Sequence, residues 1–416
     1  MILAKNQFPI IVLLSANAIS LTGNVMAAVA IPWFVLQTTG SATKTGISGF
    51  FSVLPVVLAG LLGGTLVDRL GFKRTSILAD VTSGITVALI PLLYSTIGLE
   101  FWQLMVLVFL GAFLDAPGGT AREAMLPELA DLAGMPIERA TSAIHIIERS
   151  ARLVGAPLAG FLIAFTSTAN VLWVDAISFI VSAGMIAAVI RTHVKPAEAE
   201  KKKYRDELAD GLKFLVRDRL LFAIVIMVMI TNFMDAAFAG VVLPVYVKQA
   251  FGSAVGLGLI IAAGGGGAVI GALIFSAIGH RLPRHATFVS MFVLTSLRFW
   301  IYTLYPTLAL IVLVTLITAI GAGPLNPIIG AIELERIPHS MRGRVIGAVQ
   351  AGAWAAMPLG MLAGGFLTEE LGVQPILIGF GAAYLGSTLA MAFIPAMREM
   401  NHRRQPAMDT GNPAGT

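Results

Sequence analysis

From Gly46 to Val67 the chain carries no charge, and within the next seven positions it carries four: Asp68, Arg69, Lys73 and Arg74. A hydrocarbon core takes about 20 apolar residues to cross, so a run of this length spans it and the abrupt charges mark the exit. Such runs recur along the whole sequence. About twelve reach spanning length. They cover approximately 8–36, 45–67, 75–97, 101–119, 137–165, 169–190, 220–247, 254–278, 286–304, 307–331, 344–367 and 374–396. Hydrophobic residues make up 57% of the 416 and charged residues only 12%, whereas a soluble domain averages about 25% charged. The expected class is an all-α membrane protein, because helices satisfy their own backbone groups in lipid.

Numbered from a cytoplasmic N-terminus, the even connections hold Arg69, Lys73, Arg74, Arg122, Arg139, the cluster from Arg191 to Arg219, Arg281, Arg284, Arg336, Arg342 and Arg344. The odd connections hold only Lys44 and Lys248. Such asymmetry places both termini in the cytoplasm and the chain in the cytoplasmic membrane. The net charge of +5 is therefore spread over connections and forms no nucleic-acid face, so no nucleic-acid partner is expected. With no cysteine, the chain has neither disulfides nor thiolate metal sites. The first 30 residues hold one charge, Lys5, and run on into apolar sequence, which predicts a retained first helix.

The longest polar insertion divides the spans six and six. It defines a first bundle over 1–190, a cytoplasmic linker over 191–219, a second bundle over 220–397 and a disordered cytoplasmic tail over 398–416. Within the linker, Leu208, Leu212 and Leu215 recur at helical spacing among charges, predicting an amphipathic helix on the inner membrane surface. An internal repeat supports the division. At one constant offset Pro32 falls on Pro244, Gln37 on Gln249, Gly40-Ser41-Ala42 on Gly252-Ser253-Ala254, Gly46 on Gly258 and Arg69-Leu70 on Arg281-Leu282. Both halves thus share one orientation, the parallel repeat of a two-lobed transporter with a site near mid-membrane. Asp68 has His280 as its counterpart and Gly71 has Pro283, so the halves are not equal.

Small residues four apart predict smooth helix seams on which one lobe rocks against the other: Gly60 with Gly64, Ala156 with Gly160 beside Gly155 and Pro157, Gly267 with Gly271, and Gly360 with Gly364. Asp68, just past the second helix, is placed to face the positive N-terminus of a neighbouring helix, a breakable interaction of about 0.3–2 kcal/mol. The pattern Gly64-xxx-Asp68-Arg69-x-Gly71-x-Lys73-Arg74 resembles the signature loop of the major facilitator superfamily. Thr39-Gly40-Ser41-Ala42, Leu54-Pro55 and Gly155-Ala156-Pro157-Leu158-Ala159-Gly160 are similar to its proton-coupled drug-exporter branch, which includes macrolide and siderophore exporters. The resemblance covers nearly the whole chain. It implies two pseudo-symmetric six-helix bundles and alternating access. It also implies a monomer with no cofactor beyond the proton gradient, and a latch formed by the residues of that loop.

A charge at mid-bilayer costs at least about 2.5–3.5 kcal/mol, so each one needs a reason. Asp235 stands near the middle of the seventh span with Thr231 and Asn232 one turn earlier, and is the first choice for proton coupling or contact with a cationic substrate, the competing reading being a structural hydrogen bond to a neighbouring helix. His145, Glu148, Arg149 and Arg152 occupy successive turns of the fifth span; a Glu148–Arg152 pair and an inside gate are expected there. Asp115 is expected to pair with Arg122 or with a latch arginine. Asp175 is taken as structural, and Arg298 is either a buried counter-charge or, as favoured, snorkels to an interface. Asn17, Ser20 and Asn24 share one face of the first helix and predict a cavity lining.

No HExxH, GxSxG or GxxxxGK[ST] is present, so neither a hydrolase nor a nucleotide-driven pump is indicated. Three readings remain open. The first is a proton-coupled exporter of amphipathic or lipophilic small molecules. The second is a facilitator or importer of a small metabolite or lysophospholipid, which usually needs more fixed polar groups. The third is a non-transporting membrane receptor on the same fold.

Overall fold

The computed structural model describes residues 6–190 and 204–401, without the side chains of residues 60–69, 204–208 and 340. Among the described residues there are helices and no strands. The main helices are α1 (Phe8–Thr39), α2 (Ala42–Leu70), α3 (Phe72–Thr96), α4 (Phe101–Ala133), α5 (Ile137–Phe165), α6 (Thr168–Val189) and α7 (Tyr204–Arg217). They continue with α8 (Arg219–Phe251), α9 (Ala254–Arg281), α10 (Arg284–Tyr302), α11 (Leu308–Arg336), α12 (Arg342–Leu371) and α13 (Val373–Phe393). Ten of these are long and apolar enough to cross a membrane. α5 and α10 fall on the other two expected segments, and each carries charges along its length. Large apolar side chains such as Phe161, Leu273 and Phe366 are exposed on the outward helix faces, the reverse of a soluble surface and fitting for contact with lipid.

Glycine ends the first helix of each half in the same way. Gly40 closes α1 at φ 70° with its N–H donating to Leu36 O, and Gly252 closes α8 at φ 63° with its N–H donating to Lys248 O. A left-handed residue here costs a side chain strain that glycine escapes. The predicted repeat thus has a structural counterpart at the Gly40-Ser41 and Gly252-Ser253 turns.

The chain groups into two compact units. One comprises Met1–Ala199, Ala236–Gly265 and Pro358–Ile376; the other comprises Glu200–Asp235, Gly266–Met357 and Leu377–Thr416. In the first unit α3 packs on α4 and α6, α1 on α5 and α6, and α2 on α4. Apolar side chains including Leu13, Met125, Leu129 and Ile186 fill the core between α1, α4 and α6. The ends of α8, α9 and α12 that belong to this unit pack on helices of the first half. A methyl group on Gly46 of α2 would stand 2.6 Å from Met361 O of α12, and one on Gly258 of α9 would stand 2.6 Å from Ala156 O of α5. Gly160 meets the Ala254 backbone in the same manner. Backbones approach this closely only where side chains are absent.

In the second unit, Gly267 and Gly271 pack against the Leu316 and Ile320 carbonyls of α11. The Gly267–Gly271 pair therefore serves packing inside the second half; it is not at the expected seam between lobes. Helix α7 docks on α12, with Gly211 against Arg344 O and Leu215 buried. Asp218 caps α8, accepting from Leu220 N and Leu221 N at 3.0 Å, and takes Arg336 at 2.7 Å. Arg336 also pairs with Glu399, so the start of the expected tail, through Asn401, is held in helical turns.

Candidate functional site

The first unit holds a half-open cavity of about 370 Å³. Its walls are apolar, from Ala27, Ala28 and Ile31 of α1, Val53 and Val56 of α2, Ile90 of α3, Leu107 of α4 and Met361 of α12. Three polar side chains break that surface: Asn24 on α1, Asp115 on α4 and Asp175 on α6. Asn24 Nδ2 donates to Asp115 Oδ2 at 3.0 Å. Two turns further along α4, Arg122 directs one nitrogen to Asp80 Oδ1 at 2.7 Å and the other to within 3.9 Å of Asp115. The second Asp80 oxygen accepts from Ser182 Oγ at 2.6 Å. Asp80 is fully enclosed and fully satisfied.

Asp175 is 1% exposed, and its Oδ2 has no hydrogen-bond partner among the described residues. Ser178 Oγ donates to the Asp175 backbone carbonyl at 2.8 Å and reaches Oδ1 only at 3.5 Å. The carboxylate lies against α1 at Gly23, where any side chain would strike it. Two carboxylates, Asp115 and Asp175, thus line the cavity, and the guanidinium nearest to them, that of Arg122, is already engaged by Asp80. A carboxylate in an apolar cavity calls for a partner.

Asp235, the first choice from sequence, has a cation beside it. It pairs with Arg298, whose guanidinium lies 4.8 Å from the Phe299 ring centre and 5.8 Å from that of Tyr384. Arg298 is therefore a half-buried counter-charge, the alternative to the interfacial reach favoured from sequence, since a guanidinium among helices gains more from a carboxylate and two rings than from a strained extension. Thr231 donates back to its own helix at Met227 O and Val228 O, and Asn232 Nδ2 donates to Ala353 O at 2.9 Å. Both side chains are engaged in packing.

The α5 cluster also differs from expectation. Glu148 lies 3.3 Å from His145, three residues away, instead of pairing with Arg152. Arg149 and Arg152 are exposed, and among the described residues no ion pair involves them. Of the α1 stripe, Asn24 lines the cavity; Ser20 is buried and Asn17 half-buried, and neither is among the described lining residues. Gly155 packs on α1 at Thr22 O and Val25, Gly364 on Ala237 of α8, and Gly360 is buried. In the expected latch, Gly71 precedes α3 at φ 80°, Lys73 Nζ donates to Ala187 O at 3.0 Å and Arg74 is exposed. Gly60, Gly64, Asp68 and Arg69 lie among residues 60–69, outside the described side chains.

Asp80 went unweighed in the sequence, although a lone acid inside the apolar run of 75–97 was itself the signal. The nearness of Asp175 to Asp115 was hidden for a different reason: only the fold shows that the two share a cavity.

Membrane-crossing helices packed around an apolar cavity that holds two carboxylates fit a transporter of the major facilitator class. The chain belongs to the transmembrane secretion effector family, whose model matches residues 3–413. The multidrug efflux pump Tap of Mycobacterium tuberculosis is 30% identical over 417 residues, covering 99% of each chain. Macrolide efflux protein A of Streptococcus pyogenes is 19% identical, covering 93% of this chain and 96% of its own. Among solved structures, a point mutant of the nucleoside transporter NupG superposes with a TM-score of 0.78 over 92% of this chain and 98% of its own, at 15% identity. That likeness carries the fold alone.

Proposed function

We propose that the protein exports amphipathic or lipophilic small molecules from the cytoplasm by alternating access, taking up protons in exchange. The observation that carries this reading is the apolar cavity whose carboxylates outnumber its cations, with Asp115 and Asp175 at the wall. Apolar walls take the body of the substrate. A carboxylate that is short of a partner alternates between a proton and a cationic substrate group. Each proton entering across 100 mV supplies about 2.3 kcal/mol. The 30% identity to a multidrug efflux pump along the whole chain supports the export direction. The protein works as a monomer in the cytoplasmic membrane with both termini inside, as the cation asymmetry of the connections favours. Gly64, Asp68, Arg69 and Arg74 hold the inner side closed when the outer side opens.

Inside-out membrane vesicles carrying the protein test this. On energisation they are expected to accumulate ethidium, and collapsing the pH gradient is expected to stop it. Asp115→Asn should reduce the gradient-driven rate about tenfold, the range of one lost charge-assisted contact. Undiminished accumulation after collapse of the gradient would overturn proton coupling.

A further inference from the structure

The turn between α1 and α2 is held from both sides by charged side chains of the second half. Lys248, in the last turn of α8, donates from Nζ to Leu36 O at 2.6 Å, at the C-terminal end of α1. Glu369, near the end of α12, accepts through Oε2 from Thr43 N at 3.0 Å and Ser41 Oγ at 3.1 Å, at the N-terminal end of α2. Both signs match the helix ends: carbonyls at a C-terminus attract a cation, and free N–H groups at an N-terminus attract an anion. Lys248 stands at the repeat position of Leu36, so the cation meets its own counterpart in the other half.

The same two helices wall the cavity. Gly240 of α8 and Met361 of α12 line it, each eight residues before the charged residue of its helix, or about 12 Å along the axis. Gly240 lies in a π-helical turn, Phe238–Val242, the kind of irregularity that marks functional sites in helices. From these placements the geometry points to Lys248 and Glu369 as an outer clasp: two positioning residues that grip opposite ends of the α1–α2 turn, keep the cavity closed to the outside, and let go when it opens outward. The assignment of this side as outer rests on the orientation in the proposed function.

The chain has no native cysteine, so one introduced at Ala28, on the cavity wall, reports access directly. A membrane-impermeant maleimide is applied to each face of the membrane in turn. Glu369→Gln and Lys248→Gln are each expected to raise the labelling rate at least fivefold from the face that carries the turn, while Glu369→Asp and Lys248→Arg keep the slow rate. A cysteine placed at buried Ala130 should stay unlabelled throughout, which separates release of the clasp from unfolding. Because each helix end fixes the sign of its partner, exchanging the charges as Lys248→Glu with Glu369→Lys should label at least as fast as either single variant. Unchanged labelling in both neutral variants, or slow labelling restored by the exchange, would overturn the clasp. The face on which the rise occurs reports separately on orientation.

Discussion

Each half of the chain sets an arginine beside a carboxylate between its helices, buried in the first half and half-buried in the second, and the two arrangements differ in their balance. In the first unit Arg122 holds Asp80 at 2.7 Å and stands 3.9 Å from Asp115, while Asp175 has no cation. In the second unit Arg298 pairs with Asp235 and rests on two aromatic rings. The repeat explains how they diverged. Asp235 has Gly23 as its counterpart at the constant offset, and the space left by that missing side chain is where Asp175 sits. Where the second half carries its acid on its first helix, the first half carries a glycine there and an acid facing it from its last. A balanced pair stabilises packing, and an unbalanced one leaves a carboxylate free to exchange its partner.

The largest effect is expected at the guanidinium of the unbalanced cluster. Arg122→Ala leaves Asp80 enclosed without a counter-charge, and removing one member of a buried pair costs about 3–5 kcal/mol. Loss of most protein from the membrane, or a large drop in thermal stability in detergent, is the expected outcome. Asp80→Asn should cost much less, because Arg122 already lies within reach of Asp115 and can turn to it. Equal losses from the two variants would break the claim that Arg122 is shared.

Next in size is Asp235→Asn. The stranded cation stays over Phe299 and Tyr384, and cation–π contacts of about 0.5–2 kcal/mol offset part of the loss. The cost should therefore fall below that of Arg122→Ala. Replacing both members, Asp235→Asn with Arg298→Met, should recover stability relative to Asp235→Asn alone, since exchanging a whole buried pair for neutral groups is often close to neutral. A double variant less stable than either single one would show that the pair does more than balance itself.

Most of the fold was legible because lipid restricts the choices. Uncharged runs became helices, the cations of the connections punctuated them, and Gly40 and Gly252 ended two of them as the repeat implied. The site was legible only in part. Asp115 and Asn24 could be singled out one at a time, since an intramembrane polar group needs a reason wherever it stands. Their meeting with Asp175 depends on how α1, α4 and α6 pack, which no local pattern encodes. The Gly267–Gly271 pair misled for a related reason: small residues four apart announce a close approach and leave the neighbour unnamed.

The smallest expected change in stability, and the most telling, belongs to Asp175→Asn. Asn is nearly the same size and removes an enclosed carboxyl group that pairs with no cation among the described residues. A charge buried without a partner opposes folding. Thermal stability in detergent should therefore hold or rise, by about 1 kcal/mol at most, while gradient-driven ethidium transport falls about tenfold, the range of one lost charge-assisted contact. Opposite signs for stability and transport are what distinguish a functional acid from a structural one, and they contrast with Asp235→Asn, where stability is lost. If Asp175→Asn instead destabilised the protein as much as Arg122→Ala, then Asp175 would be a packing residue, and the imbalance that separates the two halves would have no functional content.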